Sequence, residues 1–279
     1  MSAMGFLDLT VPEHAYMFGF LQGDGSLKAG VGRKGQLTVE LAVRDTGLLE
    51  EFQALVPFYS SIRKRTRSTN FADEYTSVIW TLCALEAREW LMELGLPVGR
   101  KSEAVRPPDG PLSLPDYLRG FIDADGSVGV TALGLPFLSL TTASEPMKDL
   151  FVATCADLPG RPRVVNRNRR DRIFNPMATR EAAVDLAIRL YYEGCMALVR
   201  KLTAAAALRT WVRPTRPPPR RWTPDEDETA LRADLDKAVV VLRRTASAVY
   251  NRRQQLRRHR RIVDRARALR DLRLFYEPL

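Results

Sequence analysis

Hydrophobic and polar positions follow strand-like and helix-like periods through the first 212 residues, and the same order of periods occurs twice. A period of two predicts strands, whereas apolar positions three and four residues apart predict amphipathic helices. Each half is therefore predicted to fold as helix, two strands, helix, two strands and helix. The predicted helices span 12–23, 46–56 and 85–94, then 115–124, 145–156 and 180–191; the strand-like runs span 36–43 and 59–67, then 136–142 and 161–170.

The first helix of each half carries the same short segment. Tyr16–Ser26 and Tyr117–Ser127 are identical at their Tyr, Gly, Phe, Asp, Gly and Ser positions, with an offset of 101 residues. In both helices small residues lie four apart, so they share one helix face and allow two backbones to approach closely. The repeat predicts that these two helices pack against each other within a pseudo-two-fold arrangement.

Each repeated helix is followed by an Asp-Gly pair. Gly25 and Gly126 are expected to end the helices in the left-handed conformation, which places Asp24 and Asp125 at the negative ends of the helix dipoles. Two such carboxylates would also repel each other if the helices pair, and divalent cations would remove both penalties. A calcium-binding EF-hand loop is excluded, because Val128 stands where that loop needs glycine.

The amino-acid composition excludes several classes of protein and catalytic site. The 279 residues carry a net charge of +10, which favours a polyanionic partner, and 45% apolar residues are enough for a substantial core. The three cysteines are far apart in sequence, which excludes a disulfide framework and a paired-cysteine metal site. The only histidines are His14 and His259, so zinc hydrolases and histidine-based triads are excluded, and catalysis is expected to depend on carboxylates and lysines.

The repeated segments resemble the motifs of the LAGLIDADG homing endonucleases. Leu118–Gly126 is close to the family motif, and Met17–Gly25 is a looser copy in which Gln22 replaces the first acid. The resemblance covers about residues 10 to 210. It implies an α+β fold in which two pseudo-symmetric αββαββα halves form a DNA-binding saddle, and a monomeric enzyme that cuts both strands of a long asymmetric site with Mg²⁺.

The resemblance also implies a set of site residues. Asp24 and Asp125, with the neighbouring Gly23 and Ala124, are the expected metal-binding positions. Lys101 and Lys201 follow segments that close each half, and they are expected to face the scissile phosphates. Gln22 and Asp123 are candidates for holding a water molecule or a metal. Ca²⁺ is expected to bind without supporting cleavage, and Mn²⁺ is an alternative to Mg²⁺.

The strands are expected to supply the DNA-binding surface, because every second side chain points to one face. Rows of arginines are expected to bind DNA phosphates, and side chains with both donors and acceptors are expected to form hydrogen bonds to base edges in the major groove. A solvated sheet face remains the alternative. The candidates are Lys28, Arg33, Gln36, Thr38, Glu40, Arg63, Arg65 and Arg67 in the first half, and Arg161, Arg163, Arg167 and Arg169 in the second.

Most of the excess positive charge lies at the C-terminal end. The last 67 residues hold 18 basic and 9 acidic side chains, and they begin with a Pro/Arg segment, 213–221, that is typical of a stiff linker. Residues 221–257 resemble a Myb/SANT-like helix-turn-helix, through Trp222, an acidic first helix capped by Thr223, and the run Leu242–Val249. Its expected DNA contacts, with those of the linker, are Arg216, Arg220, Arg221, Arg244, Thr245, Ser247, Asn251, Arg252 and Gln255.

These observations predict two LAGLIDADG halves, 1–106 and 107–212, a linker, and an all-α DNA-binding domain at 222–279. The expected partner is double-stranded DNA. No apolar run is long enough to cross a membrane, and no signal peptide is evident at the start, so a cytoplasmic location is expected. Two alternatives remain open: a non-cleaving transcription regulator on the same scaffold, and an RNA maturase.

Overall fold

The computed structural model describes residues 6–31, 34–69, 72–160, 173–214 and 220–275. The chain divides into two compact units, Met1–Arg213 and Pro214–Leu279. The larger unit is α+β with two antiparallel sheets, as predicted, and the smaller unit is helical in its described part. No helix among the described residues is both long enough and apolar enough to span a membrane.

The first half of the larger unit follows the predicted αββαββα order. Its four-stranded sheet has the strand order β1-β2-β4-β3, and all of its pairings are antiparallel. Phe20, Phe52 and Trp80 pack edge to face beneath this sheet and are fully buried. The elements are α1 (Pro12–Asp24), β1 (Ser26–Lys28), β2 (Gln36–Ala42), α2 (Thr46–Leu55), β3 (Ser60–Thr69), β4 (Ala72–Leu82) and α3 (Leu85–Glu93).

The second half repeats this order in the part that is described. Its strands pair antiparallel in the order β5-β6-β7, and the basic run predicted as a strand at 161–170 lies outside the described residues. A further helix, which the sequence did not indicate, carries Lys201. The elements are α4 (Leu114–Asp125), β5 (Gly126–Val130), β6 (Pro136–Leu140), α5 (Glu145–Thr154), β7 (Met177–Thr179), α6 (Glu181–Leu190) and α7 (Val199–Leu208).

The two halves meet along α1 and α4, which pack with their backbones almost in contact. A Cβ atom added to Gly19 would lie 2.1 Å from the carbonyl oxygen of Tyr117, and one added to Gly120 would lie 2.0 Å from that of Tyr16. At the helix ends, a Cβ on Gly23 would lie 2.3 Å from the Cβ of Ala124. The predicted small-residue face is therefore confirmed, and it determines the distance between the two helix ends.

The glycines after the two aspartates have a role that differs from the prediction. Gly25 has φ −67° and Gly126 has φ −109°, so neither adopts the left-handed conformation. Space requires them instead: a Cβ would lie 2.5 Å from the carbonyl oxygen of Leu21 at Gly25, and 2.6 Å from that of Ser139 at Gly126. Each helix thus passes directly into a strand, β1 or β5, that lies against its own last turn.

The described residues of the smaller unit form three helices, α8 (Pro224–Arg232), α9 (Leu235–Leu242) and α10 (Ala246–Phe275). Thr223 and Glu226 form a reciprocal capping box at the start of α8, so the predicted cap is confirmed. Arg243, with φ 48°, begins the short turn before α10, and Thr245 accepts a hydrogen bond from the backbone N–H of Ala248. A small core is formed around Ala230, Ala238, Leu242 and Val249.

Candidate active site

Asp24 and Asp125 are the last residues of the two close-packed helices. Because α1 and α4 meet at Gly23 and Ala124, the helix ends bring both carboxylates to one place; a Cβ on Gly23 would lie 3.4 Å from Oδ2 of Asp125. Both aspartates are exposed to solvent, although Gln22 and Asp123, two residues earlier on each helix, are buried. The site therefore presents two carboxylates that a ligand can reach.

The surroundings of these carboxylates disfavour their charge. Displacement of solvent by nearby protein atoms and, to a smaller extent, the negative charge of Asp125 together raise the pKa of Asp24 to about 6. Burial likewise raises the pKa of Asp125. Lys101 and Lys201 oppose both shifts. A divalent cation bound between two carboxylates that repel each other and can be reached from solvent would stabilise their charged forms.

Lys101 and Lys201 lie against the ends of α1 and α4, in related but unequal ways. Lys101 Nζ donates to the carbonyl oxygen of Leu21 at 2.9 Å. Lys201 Nζ donates to the carbonyl oxygens of Ile122 and Asp123 at 2.7 Å and of Gly126 at 2.9 Å, and the residue is only 5% exposed. Burial lowers the pKa of each lysine to about 8.

This difference corrects the assignment of both lysines to the phosphates. The Lys201 ammonium group donates all three of its hydrogen bonds to backbone carbonyl oxygens, so it caps the end of α4. Its remaining effect on the site is the electrostatic effect of its positive charge on the two aspartates. Lys101 is half-buried and makes one such bond, so it retains donors for a substrate. Lys101 lies in the chain after α3 and Lys201 lies in α7, so both lysines belong to segments that close a half, as the sequence indicated.

Gln22 and Asp123 do not hold a metal or a reacting water, which corrects that prediction. Asp123 is fully buried and accepts hydrogen bonds of 2.7 Å from the Tyr16 hydroxyl, the Tyr191 hydroxyl and the backbone N–H of Leu198. Its lone pairs are therefore directed at protein donors.

Gln22 is equally committed to the protein. Its Nε2 donates to the carbonyl oxygens of Gly95 and Arg106, and its Oε1 accepts from the Tyr117 hydroxyl. Tyr16 and Tyr117 thus reach across the helix pair in reciprocal fashion, each to the polar residue of the opposite helix. The sequence repeat contained both tyrosines, but it did not indicate this pairing.

A buried arginine, Arg119, which the sequence analysis did not identify, fixes the segment that precedes Lys201. Arg119 is fully buried and donates to the carbonyl oxygens of Leu190 and Met196 at 2.7 and 2.8 Å. It also forms an ion pair of 2.6 Å with Asp116. Arg119 therefore connects α4 to both sides of the segment between α6 and α7.

A cavity of about 190 Å³ lies beside the carboxylates. Both halves contribute to its lining, with Gln22 and Lys101 from the first and Asp125 and Thr142 from the second. Hard oxygen ligands are available here from Asp24 and Asp125. The carbonyls of Gly23 and Ala124 lie in last turns, where the helix itself offers no donor. Among the described residues no group of three His, Cys, Asp or Glu side chains is found, so these carboxylates alone would not fill the coordination shell of a metal ion.

The exposed face of the first sheet carries the predicted polar row. Leu37, Val39 and Leu41 of β2 are buried, and the alternate side chains Gln36, Thr38 and Glu40 share the other face. Lys28 on β1 and the three arginines of β3 are exposed. Arg33 lies outside the described residues, as do Arg161, Arg163, Arg167 and Arg169 of the second half.

Glu40 is not a free acceptor for bases. Its carboxylate accepts from the Ser77 hydroxyl at 2.6 Å and pairs with Arg67 at 3.2 Å and Arg65 at 3.7 Å. Arg63 forms no ion pair or side-chain hydrogen bond with any residue that the structure describes. Glu40 therefore orients two arginines of the neighbouring strand, whereas Arg63 keeps its donors for a partner.

Two arginines of the smaller unit have structural roles instead of the predicted DNA contacts. Arg244 stacks on Trp222 at 4.0 Å, donates to the carbonyls of Arg220 and Arg221, and pairs with Glu226 at 2.7 Å. Arg252 pairs with Asp227 through two hydrogen bonds of 2.7 Å. The bonds of Arg244 join the turn before α10 to α8 and to the chain before it, and those of Arg252 join α10 to α8.

The other predicted contacts of this unit remain available. Arg221, Thr245, Ser247, Asn251 and Gln255 are exposed, and all but Arg221 lie at the start of α10 or in the turn before it. Arg220 is largely exposed but pairs with Glu226. Arg216 lies outside the described residues.

Comparisons with known proteins give structural neighbours only. No family model and no curated protein matches the chain. Among solved structures it is similar to the meganuclease I-SmaMI bound to uncleaveable DNA, with 13% identity and a TM-score of 0.48, over 74% of this chain and 89% of that one. It is also similar to the LAGLIDADG homing endonuclease I-GzeII in complex with its DNA target, with 13% identity and a TM-score of 0.47, over 71% and 88% of the two chains. At these TM-scores the likeness adds no functional argument, so a function has to be argued from the site itself.

Proposed function

We propose that this protein is a LAGLIDADG-type endonuclease that makes a magnesium-dependent double-strand break at a specific DNA site. The observation that carries the proposal is the pair of solvent-exposed aspartates at the ends of two helices packed through Gly19, Gly23 and Gly120. Two carboxylates related by a pseudo-two-fold axis match a substrate whose two backbones are also related by a two-fold axis. The two antiparallel strands of duplex DNA are related in this way, so each aspartate would act on one strand.

The donor set fits Mg²⁺. Asp24 and Asp125 offer hard oxygen ligands, and the carbonyls of Gly23 and Ala124 lie beside them. When bound, the metal lowers the pKa of water and neutralises charge on the leaving oxygen. The protein's own residues position this chemistry: Lys201 and Lys101 hold the helix ends, and the remaining donors of Lys101 face the space where a phosphate would lie.

The first sheet supports DNA binding with some sequence preference. Gln36 and Thr38 of β2 offer donors and acceptors to base edges, and Lys28 of β1 and Arg63 of β3 offer positive charge on other strands of the same sheet. We infer that the helical unit adds contacts through the exposed positions of α10, in the manner of a Myb-like helix-turn-helix. We also propose that the protein acts inside the cell, and as a monomer because one chain carries both motifs.

Cleavage of a plasmid library in the presence of Mg²⁺ tests the proposal. Wild type is compared with Asp24→Asn, Asp125→Asn and the control Asp109→Asn, which changes an exposed aspartate without a described ion pair. We expect linear product with wild type and the control, and none with either active-site variant. A wild-type protein that binds its site with Mg²⁺ present yet leaves every plasmid intact would refute the proposal and favour a transcription regulator.

A second comparison tests the role of the helical unit. Removing residues 214–279 is expected to weaken DNA binding and to flatten its dependence on salt, because phosphate contacts release counterions. If the unit also reads bases, the truncated protein will lose sequence preference at one end of the site. Stronger affinity for structured RNA than for duplex DNA would instead indicate a maturase.

A further inference from the structure

Glu40 brings together two arginines on the exposed face of the first sheet. The register places Glu40 of β2 level with Arg63 of β3, with Ile79 of β4 between them. The Glu40 carboxylate nevertheless pairs with two arginines further along β3, Arg67 at 3.2 Å and Arg65 at 3.7 Å. Both of these arginine side chains therefore lean back along β3 towards one carboxylate.

A buried hydroxyl group fixes the direction of this carboxylate. Ser77 of β4 is fully buried, and its Oγ donates to Oε1 of Glu40 at 2.6 Å. A hydrogen bond to a charged acceptor is strong, and this donor has no access to water. The Glu40 side chain is 30% exposed, whereas those of Arg65 and Arg67 are 52% and 43% exposed. The acid is thus held against the sheet, and the outer parts of both guanidinium groups face the solvent.

Ion pairs as exposed as these contribute little to the stability of a fold, but they change what an arginine can bind. A free arginine side chain binds any phosphate of the DNA backbone and therefore carries no sequence information. A carboxylate beside the guanidinium group offsets its charge, which weakens the attraction to phosphates, and restricts its orientation. The directed hydrogen bonds of the outer N–H groups then determine which acceptors are bound.

We propose that Arg65 and Arg67, oriented by Glu40, each read a guanine in the major groove of the DNA that the first sheet contacts. Guanine presents two acceptors, O6 and N7, to the two parallel N–H groups of a guanidinium, whereas adenine presents an amino donor in place of O6. Glu40 is then a positioning residue that makes the two arginines selective. The base reading rests on the DNA binding of the proposed function and identifies two of the bases that are recognised.

The geometry of β3 limits the separation of the two guanines. Residues two apart on a strand are separated by about 6.8 Å, which is twice the rise of about 3.4 Å per base pair. Because the side chains of Arg65 and Arg67 end at the same carboxylate, we expect the guanines to be no more than about two base pairs apart.

Arg63 supplies a matched control on the same strand and the same face of the sheet. It is exposed, it is level with Glu40 in the register, and it has no ion pair or side-chain hydrogen bond with a described residue. Without a carboxylate to orient it, Arg63 is expected to bind a phosphate.

Selection from a library of randomised DNA duplexes tests the inference in the full-length protein. Bound duplexes are recovered in the presence of Ca²⁺ and sequenced, so the measurement does not depend on cleavage. We expect wild type to select two nearby guanines, and Arg65→Gln and Arg67→Gln each to lose the preference at one of them, by about 5–150-fold in relative affinity. Arg63→Gln should retain both preferences and bind all sequences more weakly, with a shallower dependence on salt.

Two variants of Glu40 separate its charge from its geometry. Glu40→Gln removes the negative charge, so we expect tighter binding to unselected DNA, a steeper dependence on salt and a loss of preference at both guanines. Glu40→Asp keeps the charge on a shorter side chain, so both preferences should fall without a steeper dependence on salt. A purely structural role of Glu40 would instead lower Tm and weaken the binding of all sequences alike.

Unchanged guanine preferences in the two arginine variants and in Glu40→Gln would overturn the inference. An equal loss of affinity for all sequences in these variants would also overturn it, as would a wild-type protein that selects no guanine. Failure of the endonuclease function gives a different result. A wild-type protein that selects the two guanines but leaves every plasmid intact with Mg²⁺ would refute cleavage and support the base reading.

Discussion

Replacing Gly120 with alanine perturbs the contact that determines the separation of α1 and α4. The new Cβ would lie 2.0 Å from the carbonyl oxygen of Tyr16 and 2.9 Å from the backbone nitrogen of Phe20. An ordinary contact needs about 3.4 Å, so the helices must separate by about 1.4 Å locally. Inserting a methyl group into a well-packed core costs about 1–3 kcal/mol, and here the obstacle is backbone, which favours the upper end of that range.

A loss of about 3 kcal/mol corresponds to a decrease in Tm of about 6–12 °C for a unit of this size. Thermal unfolding followed by circular dichroism measures this decrease. Gly47→Ala is the control, because Gly47 lies in α2 with no atom within 4 Å of an added Cβ, and its Tm should be unchanged or slightly higher. Equal Tm values for Gly120→Ala and Gly47→Ala would refute the reasoning that close backbone contact holds the halves together.

Three further predictions concern charged and buried groups. Because a protonated Asp24 cannot bind a cation and its pKa is about 6, the affinity for Ca²⁺, measured by calorimetry with DNA present, should rise as the pH is raised through 6; a constant affinity would contradict this. Asp123→Asn should lower Tm while Asp109→Asn does not, since only Asp123 accepts three buried hydrogen bonds. Arg244→Ala should make residues 220–275 sensitive to limited proteolysis, whereas Asn251→Ala should leave proteolysis unchanged and weaken DNA binding.

The order of elements could be predicted from the sequence because local patterns determined it. The bounds of α1, α2, α4 and α5 agree with the predicted helices to within one or two residues, since each has a clear apolar period or a proline near its start. The helix α7 was missed, although its periodicity is similar to that of α2, because the segment around Lys201 was interpreted only as the end of the second half.

The chemistry of the site was only partly predictable. Repetition was sufficient to identify Asp24 and Asp125, because two copies of one segment indicate two equivalent positions. Single polar residues could not be assigned in this way. Gln22 and Asp123 have the residue types that bind metals or water, yet their partners are tyrosines and backbone groups distant in sequence, which only the folded chain brings together.

The same limit explains why the ion pair between Asp45 and Arg200 was invisible in the sequence: the two residues are 155 positions apart and belong to different halves. A duplicated chain conserves the features that both halves need, here the helix pair and its two aspartates, and is free to differ where the halves contact each other. The hydrogen bond from the Ser144 hydroxyl to the carbonyl oxygen of Val105 also joins the halves, and it carries no charge. The contacts that join the two halves therefore cannot be predicted from the repeat, because each depends on a pair of residues that only the folded chain brings together.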